Sequence, residues 1–332
     1  MWPLYLPLVI PALAGVAARP LAARLEPRLA TWLLTSATVA LAACSTAALA
    51  LLAGFTAARA PALAALGGYS LEVMQRADPI PLPAGALAAL ALAGAAVAVV
   101  VIFRNRARGL AESYRRAAGL PADSIVVVPG PAIEAYALPG RPGRIVVSGR
   151  LLDRLDTGRR AALIAHEQAH LAGRHHLFAS VARLAAAANP MLLPVARSVE
   201  YTVERWADEH AAAVTGDRRL VAETIGQVAL LATPGHRRAP AVAMGIVGQL
   251  TQRVSVAWAG PVPRRVAALL ASPPRRRTVL VAASAAIVLL AGVSALEAAR
   301  DLHALLELAQ GGHQASRQWP PGFLPARITR LI

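Results

Sequence analysis

The sequence predicts a multi-pass α-helical membrane protein with an inserted cytoplasmic α+β domain, and three observations predict it. Apolar residues make up 56% of the 332 residues and charged residues only 16%, where a globular domain carries about a quarter. Four apolar runs, three of them long, are nearly free of charge, and arginines gather at alternate ends of them. Between the third and fourth runs, short β-branched segments give way to helical periodicity.

The runs cover 4–18, 30–57, 84–103 and 278–299. A bilayer core of about 30 Å needs roughly 20 helical residues, which the last three supply. The first is short and holds Pro7 and Pro11. It has no basic stretch ahead of it, so it reads as a retained span rather than a signal peptide. The expected divisions are 1–103 with three spans, 104–277 as the inserted domain, 278–299 as a fourth span and 300–332 as a short extracytoplasmic tail. That tail is too small for an independent domain without disulfides, and Gly311-Gly312 and Pro320-Pro321 break its pattern.

Arginines set the orientation. Arg19, Arg24 and Arg28 follow the first run, Arg104, Arg106, Arg108, Arg115 and Arg116 follow the third, and Arg275, Arg276 and Arg277 precede the fourth. The loop at 58–83 instead balances Arg59 and Arg76 against Glu72 and Asp78. If every run crosses once, all three basic clusters share one side. The positive-inside rule then puts the N-terminus outside and 104–277 in the cytoplasm of a cell-membrane protein.

Within 104–277, residues 124–128 (SIVVV) and 144–148 (RIVVS) read as strands, separated by Pro129-Gly130, Pro139-Gly140 and Pro142-Gly143. Helical patterns follow at 151–155, 157–173 and 195–214. Between the last two lies an apolar stretch, 177–196, broken by Arg183, Asn189, Pro190 and Pro194. It reads as a buried or interfacial helix rather than a pair of crossings.

The formal charge of +16 does not point to nucleic acid, because the arginines lie beside apolar runs rather than along one helix face. The single cysteine, Cys44, excludes an intramolecular disulfide and any Cys-rich zinc module.

Chemistry concentrates at His166-Glu167-Gln-Ala-His170. On a helix, residues four apart share a face one turn apart, so both imidazoles can reach one metal ion at about 2.0–2.1 Å. Glu167 can then take a proton from water that the metal has acidified. The flanking Leu163, Ile164, Ala165 and Leu171 are apolar, and charged groups in such a helix are costly unless used. A site with one open position needs a third ligand. Glu204 and Asp208 share a face of the 195–214 helix; Glu204 can bind the metal while Asp208 accepts from a ligand's outer imidazole nitrogen. A competing set uses His176, since 166–176 also fits H-E-x-x-H-x-x-G-x-x-H. That pattern resembles the metzincin proteases, which need a methionine turn; Met191 and Met244 sit in unsuitable surroundings. His175 and His176 read instead as support around the ligands or as the cytoplasmic rim. Tyr136 and His210 are candidate donors to a developing oxyanion or contacts to substrate.

The series Arg144-Ile-Val-Val-Ser148, Leu151-Leu152, His166-Glu-x-x-His170 and Glu204-x-x-Ala-Asp208, bracketed by spans, resembles the membrane gluzincin peptidases of the BlaR/MecR type. The wider group includes the HtpX and CaaX-prenyl membrane proteases. The resemblance covers 1–299, with its specific motifs between 134 and 208, and three spans before the domain with one after favour the BlaR/MecR arrangement. It implies a zincin-like (gluzincin) metallopeptidase domain, one Zn2+ per chain, and endopeptidase action on protein or peptide substrates at the membrane. It further implies a cytoplasmic winged-helix repressor as substrate, hence signal transduction. By the same resemblance, 145–148 is an edge strand open to added substrate backbone, and Arg265 is similar to a late structural arginine of the group. Two departures matter. The chain has no room after 299 for a penicillin-binding sensor domain, so beta-lactam sensing is not implied. The group also often has an Asp near the position of His175. Rival readings are a quality-control protease of the HtpX kind and a non-catalytic membrane receptor; the intact Glu167 counts against the receptor.

Overall fold

A computed structural model describes residues 5–67, 81–121, 123–231 and 261–273, with scattered positions between 282 and 300. The fourth apolar run at 278–299, the tail and Met244 lie wholly or largely outside the described residues.

Among the described residues, three helices are long and apolar enough to cross a membrane: α1 (Leu6–Arg24), α2 (Pro27–Ala57) and, after the short α3 (Pro61–Gly67), α4 (Leu82–Ala118). All three correspond to expected runs, yet two extend well past them. Hydropathy stops at the first charge, whereas a helix stops at a backbone breaker. α4 therefore continues through its arginines, all good helix formers, until Gly119 and Pro121. Leu87, Leu90, Val97 and Phe103 stay exposed along α4, a surface suited to lipid rather than water.

The chain divides into two compact units. One comprises Met1–Pro11, Ala40–Val97 and Ala286–Ile332; its core is Ala48, Leu52, Phe55 and Ala88, with Leu8 and Ala84 packed against it. The second comprises Ala12–Val39 and Ala98–Ala285 and carries the candidate site.

In the second unit, β1 (Ile125–Val128), β2 (Ala135–Leu138) and β3 (Arg144–Ser148) form a sheet in the order β1-β3-β2, with β1 parallel and β2 antiparallel to β3. The expected edge at 145–148 is thus a central strand. β2 pairs along its other side, and the Ala-Tyr-Ala-Leu sequence of β2 lacks the β-branched signal that marks the other two. Successive side chains point to opposite faces. Ala135, Ile145 and Val147 enter the main core with Leu151, Leu163, Val221 and Ile225. Leu138 and Val146 turn the other way, onto Ala117, with Val128 and Tyr136 packed against them.

The helices follow: α5 (Gly149–Leu152), α6 (Thr157–Ala172), α7 (His175–Ala188), α8 (Leu193–Thr215), α9 (Arg218–Leu231) and α10 (Pro261–Leu270). The Asp156 carboxylate caps α6 by accepting from the Arg159 amide at 2.9 Å. The stretch at 177–196 is broken as expected, at Asn189 and Pro190, where a 3-10 turn joins α7 to α8. α8 ends at Gly216, whose φ of 70° is left-handed, a conformation that costs other residues a Cβ clash. α6 and α7 both pack on α8, and α9 packs on α6, α8 and α10. Two polar ties hold α8 to the N-terminal helices of the same unit. Arg205 Nη1 donates to the Ala22 carbonyl at 2.7 Å, meeting acceptors that a helix end leaves unpaired. The Thr31 hydroxyl donates to that of Thr202 at 3.0 Å.

Ser148, buried at the end of β3, accepts from the amides of Leu151 (3.3 Å) and Glu134 (3.2 Å), joining sheet to α5. Ser148→Ala leaves both donors short of a partner, and its unfolding free energy should fall by about 1–2 kcal/mol. Thermal or urea unfolding of the detergent-solubilised chain measures this; an unchanged midpoint contradicts the capping role.

Candidate metal centre

Helical geometry brings His166 and His170 onto one face of α6, and α8 packs across that face. His166 Nε2 and His170 Nε2 are 3.1 Å apart. Glu204 of α8 completes a triangle, with Oε2 3.6 Å from His166 Nε2 and Oε1 3.5 Å from His170 Nε2. Among the described residues, these are the three whose side chains could together hold an ion. His176 is not part of this group; it is half-buried on α7.

Three features show that the triangle suits a metal cation. Ligand atoms about 2.0–2.1 Å from a tetrahedral ion stand about 3.3–3.4 Å from one another, close to the three separations observed. Glu204 Oε1 is buried and makes no hydrogen bond, a cost that a cation would remove. The charge balance agrees. Glu167, Glu204 and Asp208 bring three buried carboxylates together, and the guanidinium of Arg265 alone does not offset them, an excess of negative charge that a cation would reduce.

Supporting contacts fix each ligand. His166 Nδ1 lies 3.0 Å from Asp208 Oδ1, so its outer nitrogen is committed and Nε2 is presented to the centre. Arg265 of α10 grips Asp208 with two bonds, Nε to Oδ2 at 2.8 Å and Nη2 to Oδ1 at 2.6 Å. Its Nη1 sits 2.8 Å from Glu204 Oε2. Sequence reasoning gave Arg265 only as a late structural arginine; its link to both carboxylates had no spacing signal. His170 is backed by His175 of α7, whose Nδ1 lies 2.9 Å from His170 Nδ1.

Burial and charge set the ionisation. Burial opposes protonation of His166, but the Asp208 and Glu204 carboxylates overcome it and raise its pKa to about 9. Burial prevails at His170, which falls well below the usual value, and at His175, pushed down to about 3. Glu204 and Asp208 are buried, which would raise them, yet Arg265 and the imidazoles hold both below the usual carboxylate range.

The remaining candidates fall in different places. Glu167 is fully buried beside His166, and its charge bears on Arg265. His210 is exposed on α8, near enough to His175 for its charge to be felt. Tyr136 is not brought to the imidazoles. It lies on the sheet face that carries Leu138 and Val146, whereas its neighbour Ala135 joins the core that contains Leu163 of α6. A one-residue alternation along β2 decides this. Met191 is exposed in the turn before α8.

Removing Arg265 should leave two buried carboxylates uncompensated. Arg265→Met is expected to lower stability by about 3–5 kcal/mol in the metal-free chain, and Arg265→Lys to recover only part, since lysine cannot grip in the same two-bonded way. Because Asp208 is depressed when folded, its contribution is present above about pH 3.9 and is lost as pH falls toward the folded value. Unfolding at pH 7 checks both variants; wild-type stability in Arg265→Met would contradict the charge balance.

The chain matches the model of Peptidase family M48 over residues 103–183, a segment that contains His166, Glu167, His170 and His175 and ends before Glu204. No curated protein and no solved structure matches it. Residues 103–183 are thus similar to a metallopeptidase family, in a chain whose described residues include three helices able to cross a membrane and a buried His-His-Glu cluster.

Proposed function

We propose that the chain is an integral-membrane zinc endopeptidase that hydrolyses peptide bonds of protein substrates at the cytoplasmic membrane face. The observation that carries this reading is the convergence of His166, His170 and Glu204 with the buried Glu167 beside them. One Zn2+ per chain would be held by those three side chains. Zinc in such a site lowers the pKa of water to about 7 and polarises a carbonyl. An N/O donor set with two imidazoles suits zinc.

The chain's own residues do the rest. Glu167 takes the proton from the attacking water and delivers it to the leaving amine. Asp208, locked by Arg265, keeps His166 in the tautomer that frees Nε2. His210, exposed on α8 and close enough to His175 for its charge to be felt, is the donor we assign to the developing oxyanion. The arginine clusters support a cytoplasmic domain and an outside N-terminus. As substrate we propose a cytoplasmic winged-helix repressor, on the resemblance to BlaR/MecR-type transducers. Quality control of damaged membrane proteins is distinguished by its products: many misfolded substrates rather than one repressor.

Glu167→Gln should keep stoichiometric zinc while peptide cleavage falls by about 10²–10⁴-fold. Zinc content and cleavage are measured on the same purified full-length chain, and chelation should abolish wild-type activity until zinc is returned. Zinc without cleavage in both proteins would favour a non-catalytic receptor. Comparing proteomes of cells carrying wild type and Glu167→Gln then identifies the substrate; an unchanged proteome contradicts the protease reading.

A further inference from the structure

The contact behind His170 differs in kind from the one behind His166. Asp208 is a carboxylate held by a guanidinium, whereas His175 is a second imidazole. His175 is wholly buried, with its Nδ1 2.9 Å from His170 Nδ1 and its ring at 88° to the His170 ring. Trp206 covers it, with ring centroids 4.6 Å apart.

The local chain is shaped around this ring. Gly173 ends α6 with φ −79°, a conformation that alanine adopts without strain. A Cβ at Gly173 would nevertheless lie 2.3 Å from His175 Nε2 and 2.5 Å from its Cδ2. The glycine is therefore needed for the space it leaves, not for its backbone freedom. Arg174 next adopts φ 48°, ψ 42°, a left-handed conformation unusual for a residue with a Cβ. That turn starts α7 with His175 directed back onto α6. His175 Nε2, meanwhile, is buried and makes no hydrogen bond. A histidine kept only for packing would not combine a left-handed neighbour, an obligatory glycine and an unpaired nitrogen.

We propose that His175 is a positioning residue: its Nδ1 accepts the Nδ1–H of His170, fixing the tautomer and ring angle that present His170 Nε2 to the metal. Gly173 is the partner that makes room for it. This rests on the zinc-site reading above. The proton assignment follows from that reading. His170 offers Nε2 to the centre, so its proton sits on Nδ1, and the facing nitrogen of His175 must then be the acceptor.

The test uses the full-length chain in detergent and zinc affinity measured by competition with a chromophoric chelator. His175→Ala and Gly173→Ala should each weaken zinc binding about 10–100-fold. His175→Asn, which retains an acceptor oxygen, should restore most of the affinity. His176→Ala, the adjacent control, should bind as wild type does. Wild-type affinity in either His175→Ala or Gly173→Ala overturns the inference, as does His175→Asn binding as weakly as His175→Ala, since a packing role would then suffice. If the unsubstituted chain binds no zinc, the zinc-site reading itself fails, an outcome distinct from these.

Discussion

One buried guanidinium holds the centre together. Arg265 reaches from α10 to α8, gripping Asp208 with two hydrogen bonds and approaching Glu204 within 2.8 Å. Without it, two carboxylates one helical turn apart would be buried side by side against α6. Their repulsion and desolvation would push a proton onto one of them and spoil it as ligand or acceptor. The grip keeps both ionised, and that ionisation orders everything further in. Asp208 fixes His166, Glu204 stays an anion, and the remaining negative charge calls for a cation.

The two imidazoles are supported unequally. His166 leans on an ionised carboxylate, whereas His170, lowered chiefly by its burial, leans on a second imidazole. A carboxylate behind each histidine would have added a fourth buried negative charge beside Glu167, Glu204 and Asp208. Using His175 instead supplies the acceptor without that addition. The cost appears in the backbone, as a left-handed Arg174 and a glycine that nothing larger can replace.

Much of this was legible in the sequence, and the boundary of legibility is physical. His166, Glu167 and His170 were readable because a helix repeats every 3.6 residues, and Glu204 and Asp208 for the same reason. The long spans were readable from apolar length, though not their ends, which follow backbone breakers rather than hydropathy. Long-range partners follow no period. Arg265 meets residues about sixty positions away, and nothing in the spacing announces it. Strand details failed for local reasons. β2 carries no β-branched residue, so nothing in the sequence corrects the edge position that the resemblance implies for β3, and alternation along that same strand puts Tyr136 on the face away from the core that contains Leu163. From the sequence His175 reads only as support around the ligands or as part of the cytoplasmic rim; the turn at Gly173 and Arg174, which sets its ring against His170, has no spacing signal.

The claim on which all this stands is that one zinc ion sits between α6 and α8. X-ray absorption at the zinc edge of the purified full-length chain tests it most directly. The account predicts one zinc per chain with nitrogen and oxygen neighbours only, two of them imidazoles at about 2.0–2.1 Å, in a shell that changes when Glu204 becomes Gln. A shell of three imidazoles that is indifferent to Glu204→Gln would contradict it, as would the absence of zinc.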